Sequence, residues 1–335
     1  MYKIAVVGCG DISGTWIEAA KRRSDCKIAA LVDTSGARAE TKRELYQLTC
    51  NTYTSLDSAL GSEDVDLVFD LTPPDCHFNT VTTAMKSGCH VFGEKPMSDS
   101  LSDAEDMIRC SDETGKEYFV MQNRRYNPGL FAIRDFLQSS KLGDIRQVSV
   151  NFQLNPHFGQ YREQMDNPLL IDMAIHTFDA LRFILGRNAE SVYCHEFNPS
   201  WSWYRGNANA VCIFELTGGI VFDYRGSWCA NGLVTSWEAE WRVTCANGTL
   251  FWDGADKLFY DVNMEGDSEA DNSKKYVIEP APLIKTEHDA CLSEMFDALD
   301  RGVRAPTDCR DNINSVKMVC KAIESARQKK LIPIR

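Results

Sequence analysis

Apolar residues follow two different patterns along this chain, one before about residue 122 and one after it. Short continuous apolar runs, typical of strands buried on both faces of a parallel sheet, lie at residues 3–7, 28–32, 66–72, 90–93 and 118–121. Residues 77–87 and 102–114 have helical spacing, and each segment is followed by a glycine. This alternation predicts an α/β region with a parallel, doubly wound sheet.

From about residue 145, apolar and polar residues alternate instead. Residues 145–152 alternate like a half-buried strand, and Thr217-Gly218-Gly219 and Asn247-Gly248 each separate two strand-like segments. Helices are predicted over residues 168–185, about 286–300 and 310–328, and the polar residues 264–275 predict a surface loop. The second region is therefore predicted to be α+β, with a large, mostly antiparallel sheet.

The change of pattern predicts two domains, residues 1–122 and 123–335. A chain of 335 residues fits two domains of roughly 150 residues each. The two helices at the end of the chain could pack back on the first domain.

Composition and charge narrow the classes of function. The chain has 36 Lys and Arg against 48 Asp and Glu, a net charge of −12, which argues against nucleic-acid and acidic membrane partners. No apolar run approaches the ~20 residues of a membrane span. The N-terminus lacks a signal-peptide pattern, so we expect a cytoplasmic protein.

The 13 cysteines form no Cys-x-x-Cys pair. They indicate packed free thiols and no metal site.

A glycine-rich turn at residues 8–14 joins the first apolar run to a helical segment. Gly8 permits a tight turn, Gly10 lets a pyrophosphate approach the backbone, and the following helix offers free N–H groups. Asp33 ends the next apolar run, where an acid can bind the adenosine ribose hydroxyls. A carboxylate there opposes a 2′-phosphate, which favours NAD over NADP, although Arg38 lies nearby with the opposite charge.

Three further motifs point to one family. They are Thr72-Pro73-Pro74 with His77, Gly93-Glu94-Lys95-Pro96, and Asp172-Met-Ala-Ile-His176 followed by Asp179. Together with the glycine turn, they resemble the Gfo/Idh/MocA family of nicotinamide-dependent oxidoreductases, which includes glucose–fructose oxidoreductase and inositol dehydrogenases. The chain departs from the family's usual glycines at Asn167-Pro168 and at Ala174, which bears on substrate identity more than on reaction type.

The resemblance implies a Rossmann domain over residues 1–122 and a substrate-binding and oligomerisation domain over residues 123–335. The cofactor-binding residues that we expect are Gly8, Gly10, Asp11, Ile12, Asp33, Thr72, Pro73, His77, Glu94 and Lys95. Candidate substrate contacts, in a loop before the third motif, are Asn155, His157, Tyr161 and Arg162. His77 and Arg125 could be near the cofactor or structural.

Members of this family commonly pair through the sheet of the second domain, which implies a homo-oligomer, a dimer or a tetramer. Six of the seven tryptophans lie after position 200. They could serve a subunit interface, stack against a sugar ring, or pack in the core of the sheet.

Oxidation of a secondary alcohol needs a hydride acceptor and a base for the hydroxyl proton. Histidine suits the second role because imidazole exchanges protons near neutral pH. Asp172 and His176 are four residues apart, so they share one face of a predicted helix. We expect His176 to act as general base or acid, Lys95 to polarise the substrate oxygen and join the proton path, and Asp172 to orient the imidazole or bind substrate. Asp179 is expected to pack or cap locally.

The expected function is therefore hydride transfer between NAD and a secondary alcohol of a sugar, sugar derivative or cyclic polyol. One alternative is an NAD-dependent glycosidase, in which transient oxidation of a ring hydroxyl permits elimination of the aglycone. Another is a non-catalytic regulator that senses the cofactor; the intact Lys95, Asp172 and His176 argue against it.

Overall fold

A computed structural model describes residues 1–262 and 275–334. The chain forms two compact units, one of Met1–Asn123 with Lys285–Val316, the other of Arg124–Ile284 with Lys317–Arg335. Of the surface loop predicted at residues 264–275, all but Lys275 lies outside the described residues.

The first unit contains a parallel sheet. Its strands are β1 (Tyr2–Val7), β2 (Cys26–Val32), β3 (Asn51–Tyr53), β4 (Leu67–Asp70), β5 (His90–Gly93) and β6 (Tyr118–Val120). Its first helices are α1 (Ser13–Lys21), α2 (Gly36–Leu45), α3 (Leu56–Ser62), α4 (Pro74–Lys86) and α5 (Leu101–Thr114). The strand order is β3-β2-β1-β4-β5-β6, the order of a doubly wound dinucleotide-binding sheet, in which ligands bind beyond the carboxyl ends of the strands. The predicted parallel, doubly wound sheet is confirmed.

The segment between β2 and β4 has structure that the apolar runs did not reveal. It forms α2, β3 and α3, and α2 has a single buried residue, Ala39. Such a polar helix has no apolar stripe to detect. Helix α4 begins at Pro74, three residues before the predicted start, because proline is well suited to the first position of a helix.

The second unit contains a larger sheet. Its strands are β7 (Ile145–Gln153), β8 (Ala189–Phe197), β9 (Asn209–Leu216), β10 (Ile220–Ser227), β11 (Glu240–Cys245), β12 (Gly248–Trp252), β13 (Leu258–Val262), β14 (Lys275–Val277) and β15 (Ile332–Pro333). The order is β14-β13-β12-β11-β7-β10-β9-β8-β15. Within it β7 and β10 are parallel and the other neighbouring pairs are antiparallel. The mostly antiparallel sheet is confirmed, and both predicted hairpins form.

The helices of the second unit are α6 (Pro128–Gln138), α7 (Gln160–Gln164) and α8 (Ile175–Leu185). The single helix predicted over residues 168–185 is instead a π-helix, Leu169–Ala174, that continues into α8 and ends at Gly186 with φ 61°. Asp172 thus lies in the π-helical part and His176 in the first turn of α8. The predicted loop at residues 155–162 is also interrupted, since Tyr161 and Arg162 lie in α7.

Two long helices close the chain, α9 (Glu287–Arg301) and α10 (Cys309–Gln328). Phe296 of α9 packs on Phe69 and Phe92 of the first sheet, with ring centroids 6.2 and 5.0 Å away, so α9 belongs to the core of the first unit. Among the described residues, no helix has the length and apolarity needed to cross a bilayer. Ten of the 13 cysteines are buried, as predicted for packed thiols.

Candidate active site

The glycine turn after β1 contains two glycines with different surroundings. Only glycine can occupy position 8, whereas position 10 has free space beside it. Gly8 has φ +95°, and a Cβ there would lie 2.5 Å from the carbonyl oxygen of Leu71. A Cβ on Gly10 would meet no atom within 4 Å. Asp11 is exposed and Ile12 half-buried just before α1 begins. The turn therefore fits a pyrophosphate lying over the backbone at a helix N-terminus.

Asp33, at the end of β2, is buried and holds the glycine turn. Its Oδ2 accepts a hydrogen bond from Cys9 N at 2.9 Å. Its Oδ1 accepts from Ser35 N at 2.8 Å and from Arg38 Nε at 3.1 Å. The Arg38 side chain is 61% exposed. The predicted ribose-binding carboxylate thus lies next to the turn, with an exposed cation paired to it.

The loops after β4 and β5 carry the next predicted cofactor residues. Thr72 donates to Asp70 Oδ1 through its N–H at 3.1 Å and its hydroxyl at 2.6 Å, and Pro73 is exposed ahead of α4. Glu94 is buried and accepts from the indole of Trp16 at 2.8 Å. Lys95 follows, half-buried, on the first unit. Glu94 therefore anchors the Lys95 loop to α1.

His77 is fully buried, and both of its ring nitrogens lie against backbone carbonyl oxygens. Nδ1 is 2.9 Å from Pro96 O and Nε2 is 2.7 Å from Thr72 O. Backbone contacts therefore occupy both ring nitrogens. The sequence left open whether His77 is near the cofactor or structural, and these contacts support a structural position between the two loops.

In the second unit, Asp172 is 6% exposed and lies beside two of the predicted substrate contacts. Its Oδ2 accepts from Arg162 Nε at 3.1 Å. The Arg162 guanidinium lies 4.8 Å from the Tyr161 ring centroid and 5.4 Å from that of Phe158. The structure therefore brings Tyr161, Arg162 and Asp172 together.

The other two predicted substrate contacts lie elsewhere on that segment. His157 is exposed and stacks on Trp203, with ring centroids 3.6 Å apart, and Asn155 is exposed just after β7. The stacking gives His157 a local packing partner within the second unit.

His176 is 7% exposed and lines a small cavity in the second unit. The cavity is lined by Arg124, Leu130, Met173, His176, Thr177, Ala180, Trp237, Glu238 and Trp241. Arg124 donates to Glu238 Oε1 at 2.6 Å and to Trp237 O at 2.9 Å, and its guanidinium lies 5.4 Å from the Trp237 ring centroid. Arg124, Trp237 and Glu238 were not among the predicted site residues. Their only signals in the sequence were a basic dipeptide and a tryptophan-rich second domain.

Asp179 packs locally, as expected, and Arg125 is its partner. Arg125 donates through Nε to Asp179 Oδ2 at 2.8 Å and through Nη2 to Oδ1 at 2.6 Å, with both side chains buried. A paired, buried fork of this kind holds the segment before α6 against α8. Across residues 1–262 and 275–334, no group of three or more His, Cys, Asp or Glu side chains could hold a metal ion.

Comparison with known proteins identifies the family. Residues 2–122 match the family described as "Oxidoreductase family, NAD-binding Rossmann fold" (GFO_IDH_MocA). Residues 131–251 match the family described as "GFO/IDH/MocA C-terminal domain". Uncharacterized protein y4oX of Sinorhizobium fredii is 24% identical over 97% of this chain and 94% of that protein. Inositol 2-dehydrogenase of Rhizobium meliloti is 25% identical over 57% of each chain.

Solved structures share the fold. An oxidoreductase from Agrobacterium radiobacter, in complex with NAD⁺, L-tartaric acid and magnesium, superimposes with a TM-score of 0.85 at 21% identity, over 99% of this chain and 98% of that one. The WlbA dehydrogenase from Bordetella pertussis, in complex with NADH and UDP-GlcNAcA, gives 0.84 at 21% identity, over 100% and 99%. Both family matches follow the chain in order. The chain therefore belongs to the GFO/IDH/MocA oxidoreductase family and carries an NAD-binding Rossmann domain.

Proposed function

We propose that this protein is an NAD-dependent dehydrogenase that oxidises a secondary alcohol of a sugar, sugar derivative or cyclic polyol. The observation that carries the proposal is the cavity lined by His176 and Trp237, in a chain whose first 122 residues belong to an NAD-binding family. A buried imidazole beside an aromatic ring offers both a proton acceptor and a surface for the C–H face of a sugar.

His176, Lys95 and Asp172 are the proposed catalytic residues. When bound, the nicotinamide ring supplies the hydride acceptor. A ring nitrogen of His176 takes the proton of the substrate hydroxyl, and the Lys95 ammonium donates to the same oxygen and stabilises its developing negative charge. Asp172, held by Arg162, binds substrate or orients the imidazole. In the reverse direction His176 returns the proton.

The proposed substrate is neutral. Two cations near the proposed acid–base groups have carboxylate partners, since Arg124 pairs with Glu238 and Arg162 with Asp172. A substrate carboxylate or phosphate would have to compete with these pairs. Hydroxyl groups can instead share the same donors and acceptors without disrupting them.

Aromatic side chains are the proposed surface for the substrate ring. Trp237 is 43% exposed and Phe158 is 46% exposed, and both pack on the buried Trp228, with ring centroids 5.6 and 5.9 Å away. Trp228 thereby fixes the two exposed rings. Tyr161, His157 and Asn155 are proposed as outer contacts of this surface.

NAD is the proposed preference over NADP. Asp33 accepts three hydrogen bonds and lies beside the glycine turn, so its carboxylate is fixed where it can accept from ribose hydroxyls. Arg38 reduces the repulsion of a 2′-phosphate because it pairs with the same carboxylate. The expected preference is therefore moderate rather than absolute.

A homo-oligomer is proposed through the outer face of β8, β9 and β10. Exposed apolar side chains on that face are Tyr193, Phe197, Val211, Ile213 and Val221, and Tyr193 and Ile213 stand directly opposite each other in the ladder. A cluster of exposed apolar side chains marks an interaction surface. Light scattering should give a dimer or tetramer for the wild type and a smaller species for Ile213→Lys; a monomeric wild type would refute this assembly.

The activity is tested by NAD reduction, followed by absorbance, with a panel of free sugars, inositols, glycosides and nucleotide sugars. The proposal expects at least one neutral sugar or polyol to reduce NAD in proportion to the substrate consumed. Cleavage of a glycoside without accumulation of NADH would identify the glycosidase instead. Absence of turnover with the whole panel, by protein that binds NAD, would count against both enzymes.

A further inference from the structure

His77 makes two hydrogen bonds that a neutral imidazole cannot make together. Its Nδ1 lies 2.9 Å from Pro96 O and its Nε2 lies 2.7 Å from Thr72 O. Both partners are carbonyl oxygens, which accept hydrogen bonds and have no proton to donate. Neutral imidazole has one N–H donor, whereas the imidazolium has two. Both bonds are therefore satisfied only when the ring carries both protons.

A buried carboxylate is close enough to compensate that charge. Asp70, at the end of β4, is fully buried, and its Oδ1 accepts both bonds from Thr72. Among the residues that the structure describes, no hydrogen-bond donor reaches its Oδ2. Burial raises the pKa of Asp70, and the neighbouring His77 charge opposes that rise. An ionised Asp70 and a protonated His77 stabilise each other's charge, which offsets part of the cost of burying both groups.

Two further titratable groups that interact with Asp70 are an acid and a phenol. Glu94, after β5, is near enough to raise the pKa of Asp70 further. Tyr118, on β6, is buried and has its pKa raised well above the usual value by burial and by Asp70. Glu94 thus adds a second acid beside the pair, and a protonated His77 offsets the negative charge that gathers there.

The two carbonyls belong to loops with separate functions. Thr72 is in the loop after β4, which contributes predicted cofactor contacts, and Pro96 directly follows Lys95 in the loop after β5. The imidazole is therefore a cross-link between two strand ends of the first sheet. Fixing Pro96 also limits the positions open to the Lys95 backbone.

We propose that His77 is a positioning residue that, as an imidazolium paired with Asp70, ties the Lys95 loop to the loop after β4. The kinetic part of this inference rests on the proposed catalytic role of Lys95. The protonation part does not, because it follows from the two acceptors alone.

The protonation state is tested on the wild-type full chain by nitrogen NMR of the six histidines, with signals assigned through single His→Gln variants. At about pH 7.5 an ordinary imidazole is mostly neutral, with one protonated and one unprotonated nitrogen. The inference expects both nitrogens of His77 to be protonated. One unprotonated nitrogen in His77 would overturn it, whether or not any substrate is turned over.

The positioning role is tested by a double-mutant cycle with His77→Gln and Lys95→Ala. Glutamine keeps a donor for one carbonyl and loses the charge, so kcat should fall by about tenfold or more in folded protein. In the Lys95→Ala background the same substitution should change kcat less than about threefold, because the group it positions is already absent. Equal effects in both backgrounds would show that His77 does not act through Lys95.

His90→Gln is the matched control in the same unit. His90 begins β5, is half-buried, and accepts a hydrogen bond from Glu117 N at 3.0 Å through Nδ1. This contact lies at the opposite end of β5 from the Lys95 loop, so the substitution should leave kcat within about twofold. An equal loss of kcat in His90→Gln would assign the effect of His77→Gln to general destabilisation.

Discussion

The two units present their functional groups by different means. In the first unit the proposed cofactor region is largely backbone. It is a turn in which Gly8 has no room for a Cβ and Gly10 faces open space, and the Asp33 carboxylate holds this turn. In the second unit the proposed acid–base region consists of side chains from distant segments, such as Arg124 and Glu238 around the His176 cavity. A site built from backbone atoms depends on a short stretch of sequence, in which few positions accept a substitution. A site built from side chains of distant segments depends on the whole fold.

The largest effect is expected from removing the proposed catalytic groups. Lys95→Ala and His176→Ala should each lower kcat by at least about 100-fold, because general acid–base help is typically worth 10²–10⁴-fold. NAD binding, followed by fluorescence titration, should persist in His176→Ala. The exposed residues Lys86 and His195 provide the controls Lys86→Ala and His195→Ala. Near-normal turnover in either catalytic variant would remove that residue from the mechanism.

The glycine turn offers a pair of substitutions that separates folding from binding. Gly8→Ala should destabilise the protein by at least about 2 kcal/mol, because it adds a Cβ at positive φ against a carbonyl. Gly10→Ala should leave the free energy of unfolding nearly unchanged and weaken NAD binding by about tenfold or more, because the added methyl occupies space left for the ligand. Denaturant melts and NAD titrations of both variants measure the difference. Unweakened NAD binding in Gly10→Ala would contradict the pyrophosphate position.

Asp33→Ala tests the proposed preference of the first unit for NAD over NADP. Removing the carboxylate should weaken NAD binding and reduce the NAD over NADP preference by about tenfold, the size expected for charge-assisted hydrogen bonds. Arg38→Ala should shift the preference toward NAD, because it removes a cation near the adenosine ribose. The ratio of kcat/KM for the two cofactors measures both effects. A wild type that already prefers NADP would refute the assignment.

The smallest effect is expected at Glu196, which supports the helix that carries Asp172. Its Oε2 accepts from Asn167 Nδ2 at 2.9 Å, and burial raises the pKa of Glu196 to about 7. An unfolded glutamate titrates near 4.3, so between these values the folded state binds the extra proton. The free energy of unfolding should therefore fall as pH rises through that window.

Glu196→Gln keeps an acceptor for Asn167 and removes the ionisation. Relative to wild type, it should raise the melting temperature by a few degrees at about pH 8, where wild-type Glu196 is ionised, and by less at about pH 5. Glu215→Gln, on an exposed residue of β9, is the control and should show no such pH dependence. The same shift at both pH values would contradict the raised pKa.

The sequence predicted the parts of the fold that depend on local pattern. The apolar runs marked five of the six parallel strands, and Gly-Gly and Asn-Gly turns marked both hairpins. The region of α2, β3 and α3 was missed in detail because it is mostly polar. The π-helical segment at Leu169–Ala174 was also missed, since a spacing of four between Asp172 and His176 is compatible with more than one helical geometry.

Only part of the candidate site could be predicted, because sequence patterns report on local structure and not on contacts between distant segments. Gly8, Gly10 and Asp33 lie within one strand–turn–helix–strand unit, so their relation could be inferred from spacing. Arg124 and Glu238 are more than a hundred positions apart, and no local pattern links them. Likewise, the contact between Arg162 and Asp172 depends on how α7 packs beside the π-helical segment.

The central claim, hydride transfer from a secondary alcohol to NAD, is tested most directly by following a deuterium label. A substrate identified with the panel is synthesised with deuterium on the carbinol carbon. After the reaction the cofactor is recovered and its mass is measured by mass spectrometry. We predict one deuterium in each molecule of reduced NAD, with a matching loss from the substrate. Reduced cofactor without deuterium, or a product that keeps the label while no reduced NAD accumulates, would contradict the account.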